Sequence, residues 1–326
     1  MEEESVKLRV MGIDISSEQT TYAIVDLRGN IIAEDHFVTT DYPDINHFVT
    51  KLTDGMIELM EANGGFMSVR SVGISCPSAN FLAGSIVNAP NLPWKGTVPL
   101  AAMMRDRLGL AVAVANDAHV SALGEYTYGT GHGMEDFIVV SIGVGFGSCF
   151  FSRGRGHRGF RGFAGEVGHS CVVDHGRKCA CGKEGCLEAY CAAHGIEQTA
   201  REVMAESSAP SLMRDIENLT PRDITECCEK GDELAIEVYR RTGYMLGIGL
   251  ANYASIIDPQ LIIITGGVSK AGKWLLNPTR ISFNEHVFGN MRDSIKIVTS
   301  VMNNREREVL GAAALAWTIP EYSLFK

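Results

Sequence analysis

The sequence has no long hydrophobic run. No stretch approaches the roughly 20 apolar residues that a membrane-spanning helix needs. The chain also lacks the basic-then-apolar start of a secretory signal, because it opens with Met-Glu-Glu-Glu-Ser and passes directly into a strand pattern. We therefore expect a cytoplasmic protein without a membrane partner.

Positive charge is also scarce. The chain carries 29 Lys and Arg residues against 39 Asp and Glu residues, a formal net charge of −10. This balance argues against a general nucleic-acid-binding protein, which would present a basic surface. The nine cysteines are odd in number and partly clustered, which favours reduced, buried or metal-bound thiols over a framework of disulfides.

The order of predicted elements indicates an α/β protein with two lobes. At 326 residues, with 45% hydrophobic residues, the chain is long enough for two domains with cores of their own. A strand–turn–strand pattern opens the chain and recurs near residue 137, which predicts two similar halves with a cleft between them. We expect a smaller lobe from residues 1–117 plus 310–326 and a larger lobe from 118–309. An Ala-rich helix over 309–317 is expected to cross back onto the first lobe.

A cluster of cysteine and histidine lies in the middle of the chain. His169, Cys179, Cys181 and Cys186 make up the one-imidazole, three-thiolate set of a closed structural zinc site. Glycines at 182 and 185 would let the chain fold back so that all four reach one ion. Coincidental clustering is the alternative, and His175 and Cys171 are competing ligands. A site with four protein ligands has no open position for water, which argues against a zinc hydrolase.

Several other residues stand where a strand ends or a turn begins. Asp117 follows the strand over 111–115 and precedes a helix, so it could cap that helix or act as a base. Considered alone, the capping role is the more common one. Glu166 and Glu188 flank the cysteine cluster and could bind polar hydroxyls.

Five motifs make the chain resemble the ROK family of sugar kinases and related repressors. The resemblance covers nearly the whole chain. The matching segments are residues 88–94 (Asn-Ala-Pro-Asn-Leu-Pro-Trp), 116–118 (Asn-Asp-Ala), 164–169 (Ala-Gly-Glu-Val-Gly-His), 179–188 with the three cysteines, and 264–269 (Ile-Thr-Gly-Gly-Val-Ser). The resemblance implies a two-lobed actin-like, hexokinase-like (ribonuclease H-like) ATPase fold.

The same resemblance implies an ATP-dependent, glucokinase-like hexose kinase that moves the γ-phosphate of ATP to a sugar hydroxyl, with Asp117 as the base. Its substrate would be a hexose or an N-acetylhexosamine with Mg-ATP, its zinc would be structural, and it would form a homodimer or homotetramer. The implied sugar ligands are Asn91, Asn116, Asp117, Glu166, His169 and Glu188. The implied nucleotide-binding residues are Asp14, Gly143, Gly145, Gly147, Gly266, Gly267 and Val268.

Both phosphate loops depart from the family pattern. The first usually reads Asp-x-Gly-Gly-Thr, whereas residues 14–19 here read Asp-Ile-Ser-Ser-Glu-Gln. In the second, Val144 replaces a threonine. The alternative is therefore a sugar-binding sensor or regulator with weak or lost kinase activity. ROK repressors carry a DNA-binding segment ahead of the first strand; with that strand starting at about Val6, we expect none here.

Overall fold

A computed structural model describes residues 8–89, 91–302 and 304–320. These residues form two compact units. Unit 1 contains the described residues up to His132, the segment Gly159–Gly162 and the described residues from Met302 onward; unit 2 contains Gly133–Arg158 and Phe163–Val301. Among the described residues, no helix has both the length and the apolar character required to cross a membrane.

Unit 1 is built on a mixed five-stranded sheet. Its strands are β1 (Arg9–Ile15), β2 (Gln19–Asp26), β3 (Ile31–Val38), β4 (Val69–Ser75) and β8 (Ala111–Ala115). The order is β3-β2-β1-β4-β8, with β1, β2 and β3 antiparallel and β1, β4 and β8 parallel. Since β1, β4 and β8 are parallel, Asp14, Ser75 and the segment after Ala115 lie at one edge of the sheet.

Three helices and a small sheet complete the first part of unit 1. The helices are α1 (Ile45–Ala62), α2 (Leu100–Leu108) and α3 (Asp117–Tyr128), and the small sheet joins β5 (Ala79–Asn80), β6 (Ser85–Val87) and β7 (Thr97–Val98). Asp44 caps α1 by accepting from the backbone N–H groups of Asn46 and His47. Fully buried Phe48 and Leu52 place one face of α1 in the core of this unit.

The Ala-rich helix α9 (Asn304–Thr318) packs directly on the unit 1 sheet, as its composition predicted. A Cβ atom added to Gly12 in β1 would lie 2.4 Å from the Val309 carbonyl oxygen, and one added to Gly73 in β4 would lie 2.0 Å from that of Ala312. Glycine is therefore required on both strands, because any side chain would separate the helix from the sheet.

Unit 2 has a second mixed sheet, formed by β9 (Phe137–Ile142), β10 (Phe146–Ser152), β11 (Arg155–Gly156), β12 (Leu261–Thr265) and β13 (Lys296–Thr299). Its order is β11-β10-β9-β12-β13. The sheet repeats the antiparallel hairpin and parallel extension of unit 1. The helices are α4 (Glu188–Cys191), α5 (Ala193–Glu206), α6 (Pro221–Glu229), α7 (Glu233–Ile257) and α8 (Lys273–His286).

The long helix α7 packs closely against α8 through glycine. A Cβ atom at Gly243 would lie 2.6 Å from a Pro278 ring atom, and one at Gly247 would lie 2.5 Å from the Ser282 side chain. Two residues further along α7, a Cβ atom at Gly249 would lie 2.4 Å from the side chain of Leu187, the residue before Glu188. The glycines of α7 thus fix the position of the segment that follows the cysteine cluster.

The boundary between the units differs from the expected one at residue 117. Helix α3 belongs to unit 1 because it packs on α9: a Cβ atom at Gly311 would lie 2.3 Å from the Val120 carbonyl oxygen. The segment Gly159–Gly162 also belongs to unit 1, where the Asn80 side chain donates to the Arg161 carbonyl oxygen at 3.3 Å.

Candidate functional site

In unit 2 the four donors that the sequence singled out converge. The ligand atoms of His169, Cys179, Cys181 and Cys186 all lie within 4.8 Å of one another. The Cys181 and Cys186 sulfurs are 3.7 Å apart, and the Cys179 sulfur lies 3.6 Å from Nδ1 of His169. A tetrahedral ion with Zn–S bonds of about 2.3 Å and Zn–N bonds of about 2.0 Å needs separations of about 3.8 Å and about 3.5 Å. The donor set and spacing therefore fit a closed, four-coordinate metal site.

Two glycines with positive φ shape the loop that carries the cysteines. Gly182 (φ +88°) and Gly185 (φ +74°) adopt conformations that L-residues with side chains rarely use. At Gly185 a Cβ atom would lie only 1.7 Å from the Val173 carbonyl oxygen. The Cys179 N–H donates to the Lys183 carbonyl oxygen at 2.8 Å, which closes the turn and brings the sulfurs of Cys179, Cys181 and Cys186 to one side.

The two competing ligands lie outside this group. The His175 side chain is 88% exposed and is near the Asp174 carboxylate. Cys171 is exposed, and its thiol lies 3.4 Å from the Val173 carbonyl oxygen. Of the ligands considered from the sequence, the four that converge are His169 and the cysteines at 179, 181 and 186.

Glu188 joins the cysteine cluster to the hairpin between β9 and β10. The side chain is buried; Oε2 accepts from the Phe146 N–H at 3.0 Å, while Oε1 lies 3.6 Å from the Cys179 sulfur and 3.9 Å from Nδ1 of His169. The carboxylate is thus fixed by contacts on both sides. Glu166, in contrast, is exposed at the start of the short helical turn that contains His169.

In unit 1, Asn91 and its loop are held by a buried aromatic anchor. Trp94 is 4% exposed, packs on Phe48 with ring centroids 4.3 Å apart, and donates from Nε1 to the Tyr42 carbonyl oxygen at 3.2 Å. Asn91 itself is exposed. A fixed loop that presents an amide to solvent can place that amide against a ligand without ordering the backbone at the same time. Residue 90 of this motif lies outside the described residues.

Asn116 and Asp117 lie together at the N-terminus of α3. Asn116 is the N-cap of α3, and its side chain accepts from the Ala118 N–H at 2.9 Å. Asp117 is the first residue of the helix; its Oδ1 also accepts from the Ala118 N–H, at 2.8 Å. Asp117 keeps solvent access, while desolvation by the surrounding protein raises its pKa. A carboxylate of this kind can accept a proton, and the cap that α3 needs is already supplied by Asn116.

Asp14, the residue before the last one of β1, belongs to a second polar group of unit 1. Burial raises the pKa of Asp14 to about 7; the Ser75 hydroxyl lowers it, the Asp117 carboxylate raises it further, and the Arg307 guanidinium lowers it. The pKa of Glu308 is raised to about 8, mainly by burial and then by the Asp14 carboxylate. Three acids and one guanidinium therefore share the carboxyl edge of the unit 1 sheet.

Arg307 and Glu308 were missed by the sequence analysis. Both lie in the first turns of α9. The sequence contains a pattern that could have identified Glu308 as a buried charge. Glu308 lies four residues before Ala312, on the stripe that faces the sheet, where an apolar or small residue is expected. A charged residue on an otherwise apolar helix face is a reason to look for a buried partner.

The turn between β1 and β2, where the resemblance places the first phosphate loop, is a closed hairpin turn. The Ser16 hydroxyl donates to the Gln19 carbonyl oxygen at 2.9 Å and accepts from the N–H groups of Glu18 at 3.3 Å and Gln19 at 3.0 Å. Two backbone donors that a glycine loop would offer to phosphate are therefore directed to a side chain. The Glu18 residue is exposed at the tip of this turn.

In unit 2, three of the nucleotide candidates line one cavity. Gly143, Gly267 and Val268 border a cavity of about 780 Å³, together with residues of α6 and α7 that include Arg222 and Tyr239. Gly266 has φ +85°, and a Cβ atom there would lie 2.3 Å from the Ile142 carbonyl oxygen, whereas Gly143 and Gly267 face open space. A cavity of this size with two backbone edges free of side chains can hold a nucleoside. Gly145 lies in the β9–β10 turn and Gly147 in β10.

The two mixed α/β sheets are consistent with the actin-like, hexokinase-like ATPase fold, as the sequence predicted. The ROK family model matches residues 10–319. The chain belongs to the ROK family, which confirms the resemblance seen in its motifs.

The relatives to which this chain is similar include kinases and repressors. The chain is 30% identical over 301 residues to a glucokinase of Halalkalibacterium halodurans, covering 90% of this chain and 91% of the relative. It is 27% identical over 323 residues to a xylose repressor of Caldicellulosiruptor bescii, covering 96% of this chain and 80% of the relative. A crystal structure of a ROK glucokinase from Streptomyces griseus with glucose and AMPPNP superposes with a TM-score of 0.79 at 29% identity, covering 95% of this chain and 100% of that one.

Proposed function

We propose that this protein is an ATP-dependent sugar kinase of the glucokinase type. The observation that carries the proposal is Asp117: a carboxylate with solvent access at the start of α3, next to the N-cap residue Asn116, in a chain that belongs to the ROK family. The relatives named glucokinase, at about 30% identity over nine-tenths of the chain, support the same reaction. Asp117 takes the proton of the attacking sugar hydroxyl as that oxygen bonds to the γ-phosphorus of ATP.

The sugar is held by side chains that resemble those of the family. Asn91, Asn116, Glu166, His169 and Glu188 supply amide, carboxylate and imidazole groups that pair with hydroxyls. Nδ1 of His169 faces the cysteine sulfurs, and its side chain is 31% exposed, so the ring can contact the metal site and a ligand at once. The substrate class is a hexose or an N-acetylhexosamine.

The nucleotide is assigned to the glycine-lined cavity of unit 2, with the adenosine between Gly267 and α6. Arg222 and Lys270 at its border can balance phosphate charge. Asp14 is assigned to the magnesium of Mg-ATP, which neutralises charge on the β- and γ-phosphates.

The metal of the cysteine cluster is assigned as zinc. One imidazole and three thiolates at these separations suit a tetrahedral borderline-soft ion, and a closed set of four protein ligands makes its role structural. Its function is to fix His169 and, through the carboxylate contacts, Glu188.

A second candidate function is sugar binding without turnover. The closed first turn favours it, because the Ser16 hydroxyl occupies two backbone donors and Glu18 adds a negative charge. One such charge near a triphosphate costs on the order of 1 kcal/mol or more in a solvated site.

A coupled ADP-release assay with Mg-ATP separates the two functions. The sugars are glucose, N-acetylglucosamine, mannose, N-acetylmannosamine, fructose and allose. We expect turnover with at least one of them, and a loss of about 10²- to 10⁴-fold in kcat for Asp117→Asn with sugar binding retained. Asp106→Asn, an exposed acid on α2, is the matched control and should keep full activity. Sugar binding in a calorimeter without turnover would favour the sensor, and retained turnover in Asp117→Asn would reject this base.

A further inference from the structure

Arg307 is buried among acids at the edge of the unit 1 sheet. Arg307 is 2% exposed, and its Nη2 lies 3.2 Å from Oε1 of Glu308. Moving a guanidinium out of water is costly unless opposite charge compensates it. Its acidic neighbours are Glu308, by direct contact, and Asp14; the Arg307 charge lowers the pKa of both carboxyl groups, and the Asp117 carboxylate raises the pKa of both.

The packing of α9 explains why these groups meet. Gly12 in β1 and Gly73 in β4 both lie against the helix, since a Cβ atom added at either position would lie within 2.4 Å of a carbonyl oxygen of α9. Asp14 and Ser75 lie two residues further along the same strands, so they share that face. Helix α9 runs against the strand direction, since Ser71 donates to the Ala316 carbonyl oxygen while Gly73 meets Ala312. The turn before Ala312, which contains Glu308, therefore reaches Asp14 and Ser75.

Two buried oxygen atoms in this group point to an incomplete set of partners. Oε2 of Glu308 and the hydroxyl of Ser75, both shielded from solvent, have no hydrogen bond of normal geometry within the described part of the chain. Ser75 is fully buried and lies beside the Asp14 carboxylate. Carboxylate and hydroxyl oxygens are the ligands that hard divalent cations prefer.

We propose that Arg307 is the resident counter-cation of Asp14 and Glu308, and that it weakens the binding of a divalent cation to this pair of acids. The positive charge of the guanidinium partly neutralises the acids and repels an incoming cation. Arg307 thus affects the cation through its charge and through Asp14, without binding the cation itself. The proposal deepens the assigned kinase function, because Asp14 is the residue given to the magnesium of Mg-ATP, but its test needs neither sugar nor nucleotide.

The experiment compares Arg307→Met with the wild-type protein, zinc-loaded and free of sugar and nucleotide, using Mn²⁺ as the probe. Free Mn²⁺ is measured by electron paramagnetic resonance and binding by calorimetry. We expect the affinity for Mn²⁺ to rise at least about tenfold, the Coulomb value for a doubly charged ion roughly 6 Å from a guanidinium at bulk dielectric. The unfolding midpoint of Arg307→Met should rise by about 5–10 °C at a Mn²⁺ concentration ~100 times its Kd.

Arg70→Met is the matched control. Arg70 is also partly buried against α9, but it donates to the Ile319 carbonyl oxygen and stacks on Trp317 rather than pairing with an acid. It should lose stability without gaining affinity for Mn²⁺. Arg307→Lys keeps the charge and should keep the wild-type affinity.

The double variant Arg307→Met/Glu308→Gln removes one charge of each sign. It can be measured even if the single variant does not fold, because it leaves no unpaired Glu308 carboxylate in the protein interior. It should bind Mn²⁺ within about threefold of wild type, because its net charge is unchanged. The proposal is overturned by tight Mn²⁺ binding in this double variant, by an unchanged affinity in Arg307→Met, or by an equal gain in Arg70→Met or Arg307→Lys. The two proposals can fail separately. If the protein shows no kinase activity but Arg307→Met gains affinity for Mn²⁺ as expected, the proposed kinase function is rejected and the role of Arg307 as a counter-cation is supported.

Discussion

Replacing Cys181 by serine tests the cysteine cluster most directly. Among the four convergent residues, Cys181 is the exposed cysteine, so the substitution disturbs little packing of its own. Serine is a poor ligand for zinc at neutral pH because its hydroxyl stays protonated, whereas a thiol bound to zinc is a thiolate. Any loss of stability therefore reports on the metal.

The expected loss in the free energy of unfolding follows from the binding free energy of structural zinc sites. Structural zinc binding contributes about 10–16 kcal/mol in small zinc-binding peptides, and a quarter of that for one ligand of four is about 3 kcal/mol. For a unit of 150 to 250 residues, such a loss lowers the unfolding midpoint by about 6–12 °C. We expect Cys181→Ser to show that decrease and to contain less than one zinc per chain by elemental analysis, while wild type contains one.

Cys171→Ser is the matched control for this experiment. Cys171 lies in the same segment and pairs with Cys186 in an isolated β-bridge, yet its sulfur is outside the convergent group. It should keep full zinc content and the wild-type midpoint. Equal zinc in Cys181→Ser and wild type would refute the ligand set, and loss of zinc in Cys171→Ser instead would make Cys171 the fourth ligand.

Three other changes test separate parts of the structure. Replacing residues 16–18 by Gly-Gly-Thr should tighten the binding of a Mg-ATP analogue by about fivefold or more, since it frees two backbone donors and removes one negative charge; an unchanged calorimetric Kd would show that this turn does not meet phosphate. Gly73→Ala should cost about 1–3 kcal/mol in urea unfolding because its Cβ has no room, whereas Gly289→Ala, which faces open space, should be neutral. Glu188→Gln should cost at least about 1 kcal/mol through a weaker bond to the Phe146 N–H while zinc content stays the same; zinc loss there would make the carboxylate part of the metal site.

Local patterns were the most predictable part of this protein. The strand–turn–strand pattern located the hairpins of both sheets, and the Ala-rich composition located α9. The convergence of His169 with three cysteines was also accessible, because the donors lie within 18 residues and two glycines supply the turns. That these four bind a metal stays a prediction, as do the roles of the other site residues.

Long-range contacts were not predictable in this way. The charge cluster around Asp14 depends on Arg307 and Glu308, almost 300 residues away, and no local rule relates positions at that separation. The closure of the first turn by Ser16 was missed because serine was considered only as a replacement for glycine, not as a donor and acceptor in its own right. The placement of α3 in unit 1 depends on close backbone contact at Gly311, which composition alone does not reveal.

Helix α9 also sets the order in which the protein can fold on the ribosome. The sheet of unit 1 is synthesised by residue 115, but the helix that covers Gly12 and Gly73 begins only at Asn304. At ~5–20 residues per second, residues 129–303 take about 10–35 s to emerge. During that interval one face of the unit 1 sheet lacks the helix that covers it, so we expect unit 2, whose residues are all synthesised before α9, to complete its fold first.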